Sequence, residues 1–469
     1  MTATSLTAAL DYAREHHADF LDGFRTLLRF PSISLERARQ ADLLACAEWI
    51  AVQMRQAGLD NAQLLPTPGN PIVYGDWLHA DAAKPTILLY AHYDVQPIGD
   101  AALWHSPPFQ PTVVKGRLIA RGAVDDKCGV WILLKALEAI LAAGGRLPVN
   151  VKCLFEGEEE LGSKNTIAAL NQYRSLLAAD ALIICDGPFS PKQPGIGVSV
   201  RGAVQGELRV TGPPQDLHSG RYGGAVRNPI HSLARIIAAL HDSEGRVRLP
   251  GFYDQLPQSP VNQWCGMAGA RPMQAPAIMP DANADLQKAA GLDDFFGEAL
   301  GSFAVRTTML PTLDVGGIFG GYSGEGLRAI IPSEAGCKLT LRTVPGQDGA
   351  ERWASLVEHA KSFREPGIDI EARLHSIAHP FAMAADGREA LALRRALEST
   401  LGMPARLLRH GGSLAIGGVL ARLLNAPVSM LGLGSGGNSH AANEYIVLDD
   451  IAPALEVAIR ALFELGNEG

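Results

Sequence analysis

The sequence predicts an α/β protein, a central mixed sheet flanked by helices and interrupted by an inserted α+β segment. Three observations carry that expectation. Short apolar runs alternate with amphipathic helical stretches between Thr86 and Gly187, the mark of strands that feed helices packed on the faces of a sheet. After Pro194 the texture changes to apolar/polar alternation, as in a half-exposed antiparallel strand. From about Pro380 the α/β texture returns. One domain, residues 1–196 with 378–469, is therefore expected to be split by another at 197–377.

Element by element, Ala8 to Phe30 spaces Leu10, Phe20, Phe24, Leu27 and Leu28 as a helix, which Pro31 ends. Ala41 to Ala57 predicts a second helix, closed by Gly58. Then come strand "TILLYAH", helix "GVWILLKALEAILAAGG", strand "NVKCLFEGEEE", helix "NTIAALNQYRSLL" and strand "ADALIICDG". The inserted segment opens with the alternating run "GVSVRGAVQGELRVTG" and helix "NPIHSLARIIAALHD". A long irregular stretch rich in Pro, Gly and Ala follows. It leads to strand "SEAGCKLTLRTVP", helix "GAERWASLVEHAKSF" and strand "DIEARLHSIAH". Helix "REALALRRALEST", strand "APVSMLGLG" and a helix from Asp450 to Leu465 complete the outer domain.

A chain of 469 residues exceeds one ordinary core. With 47% hydrophobic and 19% charged residues it has a globular composition, and no window approaches eighteen unbroken apolar residues. Its net charge of −8 and lack of a Lys/Arg-rich run argue against nucleic acid and anionic membrane partners. Cys46, Cys128, Cys153, Cys185, Cys265 and Cys337 show no CxxC spacing and read as reduced core thiols. The N-terminal stretch has no basic region leading an apolar block, so a cytoplasmic address is the expectation.

The expected strands finish in unusual residues. "TILLYAHYDVQP" ends in His92 and Asp94, "ARGAVDDKCG" sets Asp125 and Asp126 before a helix, and "CLFEGEEELGS" ends in Glu158, Glu159 and Glu160. Asp186 closes "ALIICDG", and His440 lies in "GLGSGGNSHAANE". Taken singly, each has a plainer role: a helix N-cap for the Asp125 pair, a solvated turn for the glutamates, a loop residue for Asp186 or His440. Their recurrence at strand exits favours convergence at one sheet edge, where ligands of open α/β sheets gather. Carboxylates converging there repel one another unless a cation neutralises them. Imidazole mixed with carboxylate suits zinc or manganese, and the surplus of ligands suits two ions. One carboxylate off the metals would serve as general base.

Gly432, Gly434 and Gly437 fit G-x-G-x-x-G after a strand. A dinucleotide site needs a helix immediately after and a further parallel strand, whereas this loop runs on through "NSHAANEYIV". The motif is dismissed.

Together "AHYDVQP", "ARGAVDDKCG", "FEGEEELGS", "DLHSGRYGG", "GGYSGEG…IIPSEAGCKLTLRTVP", "GGS" and "NSHAANE" resemble the M20 metallopeptidases, in particular the carnosinase and cytosolic nonspecific dipeptidase branch. The resemblance implies two divalent ions, zinc first and manganese second. His92 and Asp186 would hold one, Glu160 and His440 the other, and Asp125 would bridge them. It implies Glu159 as general base, Asp94 as the residue that orients His92, and a cis peptide between Asp125 and Asp126. The inserted domain would be a lid that also carries a homodimer contact. His218 would reach the partner subunit's site and steady the oxyanion, while Arg342, with Ser413 beside it, would clamp the substrate's terminal carboxylate.

Two departures bear on the substrate. Relatives of this branch tend to read Glu-Gly-Gly-Ser-Ile-Pro where this chain has His410-Gly-Gly-Ser-Leu-Ala, and they favour lysine where Arg328 stands. The expected function is two-metal hydrolysis of dipeptides or short peptides. The alternatives are removal of an acyl group from N-acyl amino acids on the same scaffold, a non-catalytic binding module that should have lost a ligand, and the dismissed nucleotide-dependent oxidoreductase.

Overall fold

The computed structural model describes residues 5–254, 256, 291, 303–383 and 385–467. Cys265 and most of the irregular stretch from 257 to 302 lie outside the described residues. The chain forms two compact units. One comprises Met1–Val198, Met383–Leu408 and Ala415–Gly469, the other Ser199–Ala382 with Arg409–Leu414.

The first unit is built on a mixed sheet. Its strands run in the spatial order Asp60–Leu65, Ile72–Trp77, Asn150–Glu156, Thr86–His92, Ala181–Ile184, Val428–Met430 and Gly195–Val200. The four from Asn150–Glu156 to Val428–Met430 are mutually parallel, and the flanking strands are antiparallel. Such strands are covered on both faces, and Thr86–His92 is buried from Ile87 onward. Register fixes the rest: His92 is level with Glu156 and Tyr90 with Ile184, so three parallel strands release their chains at one edge.

Helix Lys127–Gly144 packs on Thr86–His92 and is buried on nearly every side, as a helix that is apolar all round must be. Leu6–Glu15, Arg388–Leu401 and Ile451–Asn467 pack with one another or with that helix. One core gathers Phe24, Leu27, Ile50, Leu89, Leu134, Leu137, Phe155, Leu393 and Leu462. Each large side chain so buried contributes about 1.5–3 kcal/mol. Cys46, Cys128, Cys153, Cys185 and Cys337 are buried free thiols.

A smaller antiparallel sheet orders Gly436–Gly437, Tyr445–Val447, Arg117–Ile119 and Thr112–Val114. It holds the loop carrying His440 against the chain that leads into Asp125.

The second unit is a four-stranded antiparallel sheet, ordered Thr312–Gly320, Glu334–Thr343, Gly202–Thr211 and Asp369–Ala378. Helices Pro229–Ala239 and Gly349–Lys361 cover one face, where Leu233, Ile236, Trp353 and Leu356 meet Val204, Leu208, Leu339 and Leu341. Asn228 and Asp348 cap these helices through their side-chain oxygens. Residues alternate across a strand, so Gln205, Glu207, Arg209, Lys338, Thr340 and Arg342 take the other, more exposed face.

Several elements differ from expectation. The first helix is two, Leu6–Glu15 and His17–Leu28, because His16 leaves helical geometry, its ring stacked on Tyr12 and its Nδ1 2.9 Å from the Tyr12 carbonyl. "NTIAALNQYRSLL" is likewise two short helices, Lys164–Leu170 and Arg174–Leu177. The strand at Asn150 stops at Glu156, and the acids beyond it turn in a single 3-10 turn at Glu159–Leu161. "GVSVRGAVQGELRVTG" is two strands divided at Arg201, the first in the large sheet and the second in the smaller unit. Thr312–Gly320 is a strand inside the stretch read as irregular. Its glycines hide the alternation, and its register shifts between Val315 and Gly317.

Candidate metal centre

Five chain segments, carrying His92, Asp125, Glu160, Asp186 and His440, meet near the carboxyl edge of the parallel strands. His92 is the last residue of its strand and fully buried. Its Nε2 lies 3.1 Å from Asp125 Oδ1, and its Nδ1 lies 3.0 Å from the Asp94 carbonyl and 3.4 Å from the Asp94 carboxylate. Asp125 reaches the other way to His440, Oδ2 to Nε2 at 3.1 Å, and His440 Nε2 is 3.2 Å from Glu160 Oε2. Two groups of ligand atoms result, His92–Asp125–Asp186 and Asp125–Glu160–His440, in each of which all atoms lie within 4.8 Å of one another. Asp125 belongs to both.

The loop geometry that delivers these groups is specific. The Asp125–Asp126 peptide is cis, as expected. His440 sits at φ +62°, a left-handed conformation uncommon for a residue with a Cβ. Asn443 ties that loop down, its Nδ2 donating to the Leu103 carbonyl at 2.8 Å and its Oδ1 accepting the His105 N–H at 2.7 Å. Gly434 belongs to packing: a Cβ there would stand 2.9 Å from both Cys128 Sγ and the Val124 carbonyl, against the Asp125 loop.

The electrostatics are those of crowded charge. Burial pushes Asp186 up to about 6, and Asp125 and Glu160 add to the effect. Burial would also raise Asp125, but hydrogen bonds to His440 and His92 hold it well below the usual carboxylate range. His440 is drawn up to about 10 by its hydrogen bonds to Asp125 and Glu160. Burial opposes protonation of His92, yet Asp125, Asp94 and Asp186 raise it well above its ordinary value. Glu159 is pushed well above the carboxylate range by burial, with Asp186, Glu160 and Asp94 adding to it and His92 opposing. Two imidazoles and three carboxylates crowded at one sheet edge fit a pair of divalent cations, which neutralise the acids and accept nitrogen and oxygen donors alike.

The pattern of peptidase family M20/M25/M40 matches residues 88–464. The chain belongs to this family. It is 27% identical over 473 residues to the Cys-Gly metallodipeptidase of Schizosaccharomyces pombe, covering 96% of each chain. Against the beta-Ala-His dipeptidase of Rattus norvegicus it is 27% identical over 410 residues, 84% of this chain and 80% of that one. Among solved structures, the M20 family metallo-carboxypeptidase Sso-CP2 of Sulfolobus solfataricus matches with a TM-score of 0.80 at 29% identity, over 96% of this chain and 99% of that one.

The M20 centre has supports that the sequence reading did not single out. Glu444, fully buried, accepts from Arg121 Nη1 and the Gly122 N–H with Oε2, each at 2.8 Å. Its Oε1 accepts the N–H groups of Val124 at 2.9 Å and Asp125 at 3.1 Å. Gln96 Nε2 donates to Glu160 Oε2 at 2.8 Å, and Ser34 Oγ donates to Asp94 Oδ2 at 2.6 Å. Glu444 and Gln96 lie within the quoted motifs, but nothing local separates them from solvated loop residues. Arg121 is 323 positions from Glu444. Glu158, grouped with its neighbours on sequence, turns away: its carboxylate accepts the N–H of Asn70 at 2.9 Å and both donors of Asn165.

The remaining named residues lie in the second unit. His218 is exposed, its Nδ1 accepting the Gly220 N–H at 3.0 Å. Arg342 Nη1 donates to Ser413 Oγ at 2.7 Å. Ser413 belongs to this unit although its chain position placed it with the outer domain.

Proposed function

We propose that this M20 chain is a metal-dependent dipeptidase in which His92 and Asp186 hold one divalent ion, Glu160 and His440 a second, and Asp125 both. The observation that carries the reading is Asp125, whose two carboxylate oxygens are each 3.1 Å from a different imidazole nitrogen. Two histidines among the donors favour zinc, with manganese second. When bound, such a pair supplies Lewis acidity that polarises a carbonyl and brings the pKa of water to about 7.

The chain's own groups do the rest. Glu159, next in the chain to Glu160, takes a proton from the attacking water and passes it to the leaving amine nitrogen. Asp94 holds the Glu159 and Glu160 N–H groups at 3.1 and 3.2 Å and faces His92 Nδ1. Arg342 takes the substrate's terminal carboxylate, a task suited to a planar guanidinium, with Ser413 Oγ beside it. In a homodimer formed through the second unit, His218 donates to the oxyanion. The dipeptide class is drawn from relatives whose names specify dipeptidases. A cytoplasmic address accords with the free thiols. No helix among the described residues is long and apolar enough to cross a membrane.

The test is a panel of dipeptides, longer peptides and N-acetyl amino acids, run before and after chelation. The reading predicts fastest turnover of dipeptides, abolished by chelator and restored by zinc or manganese. Chelator-insensitive turnover, or faster cleavage of N-acetyl amino acids, contradicts it.

A further inference from the structure

Among the described residues of the second unit, two neighbouring arginines have no acid against them. Arg201 is buried, 8% exposed. Its backbone N–H donates to the His410 carbonyl at 3.2 Å, its Nε to the Gly411 carbonyl at 2.9 Å and its Nη1 to the Leu310 carbonyl at 3.1 Å. Arg342 grips the same Arg409–Leu414 segment two residues further on, through Ser413 Oγ at 2.7 Å. Across the sheet Arg342 is paired with Ala203, so Arg201, two residues before Ala203, is its diagonal neighbour. Gly411 makes this approach possible: a Cβ there would stand 2.3 Å from the Thr307 carbonyl and 3.3 Å from Arg201 Nη2.

Buried cations are normally paired. Here both guanidiniums donate to neutral oxygens, and among the described residues neither has a carboxylate within ion-pair distance. Asp314 is the acid whose charge reaches Arg201, and its Oδ2 accepts from Thr312 Oγ1 at 3.4 Å. Arg201 is lowered to about 10, by burial first and then by the charge of Arg342, so it stays protonated at neutral pH. Burial pushes the ring of His410, on the same segment, below its ordinary value, toward the neutral form. Arg201 and Arg342 therefore stand as two neighbouring like charges, and an anion brought to Arg342 relieves their repulsion.

We propose that Arg201 is a specificity-determining residue that supports the Arg342 carboxylate clamp. It pins Gly411 so that Ser413 stays beside Arg342, and its charge adds to that of Arg342, raising selectivity for substrates with a free terminal carboxylate over neutral ones. The inference rests on the reading of Arg342 as the carboxylate clamp.

The experiment compares kcat/KM for a dipeptide and for its C-terminal amide in wild-type enzyme, Arg201→Met and Arg201→Lys. The wild type is expected to prefer the free acid by at least about 100-fold. Arg201→Met should lose about tenfold on the free acid, chiefly through KM, and leave the amide within about twofold. Arg201→Lys, which keeps the charge, should recover part of the preference. If Arg201→Met does not fold, Arg201→Gln is read in the same way against Arg201→Lys. Equal losses on acid and amide show a purely structural residue and overturn the inference, as does no loss on either. A wild type indifferent to amidation removes the clamp reading itself and the inference with it, a result visible before any variant is made.

Discussion

The Asp94 carboxylate accepts the Glu159 N–H at 3.1 Å on one oxygen and the Glu160 N–H at 3.2 Å on the other. A buried side chain thus fixes the backbone of both the proposed base and a proposed ligand, while Ser34 Oγ anchors it from the N-terminal segment. Asp94→Ala should lower kcat by about 10–100-fold, the usual range for groups that support metal ligands, with a smaller change in KM. Steady-state kinetics alongside metal content checks this, and a change confined to KM would count against it.

Glu444 gives a stability prediction. Its four hydrogen bonds close the loop from Arg121 to Asp125. Glu444→Ala leaves the guanidinium of Arg121, 1% exposed, without its carboxylate. Breaking a buried pair on one side costs about 3–5 kcal/mol. Urea unfolding should show a loss of that order, and metal affinity should fall with it.

Glu156 sets a pH dependence. Burial raises its carboxyl to about 7, although Ser163 and Tyr90 donate to it. Between the unfolded value, about 4.3, and about 7, the folded protein holds a proton that the unfolded chain has lost. Stability therefore falls as pH rises through that window and stays reduced above it. At about 1.4 kcal/mol per pKa unit, the penalty above pH 7 is on the order of 4 kcal/mol. Glu156→Gln should raise Tm relative to wild type at pH 8.5 and change it little at pH 5. A larger gain at pH 5 would reverse the sign and refute the assignment.

Glu159→Gln isolates proton transfer. The amide keeps the size and cannot shuttle a proton, so kcat should fall by at least about 100-fold while metal content and Tm hold. Substantial residual turnover would place the base elsewhere.

The fold class was legible because parallel strands leave bare apolar runs and helices leave periodic ones. "TILLYAH" and "GVWILLKALEAILAAGG" match their elements closely. Boundaries decided by side-chain packing were not, as at His16, where ring stacking on Tyr12 interrupts a continuous helical pattern. Strand Thr312–Gly320 was hidden because glycine carries no alternation. The grouping of His92, Glu160 and Asp186 was readable since each follows a parallel strand of one sheet, while Asp125, ahead of a helix, and His440, in a loop of the smaller sheet, joined them on the recurrence of acid and imidazole. Glu444 and Gln96 were not, because an acid or amide that donates or accepts only in three dimensions looks like any loop residue in one.

The most direct measurement is the stoichiometry of divalent metal in purified protein, by mass spectrometry, for wild type and Asp125→Ala. With Asp125 serving both triads, wild type should carry about two ions per chain, and the variant should lose both or retain one weakly. An Asp125→Ala protein that folds and binds two ions as tightly as wild type would contradict the shared-carboxylate centre.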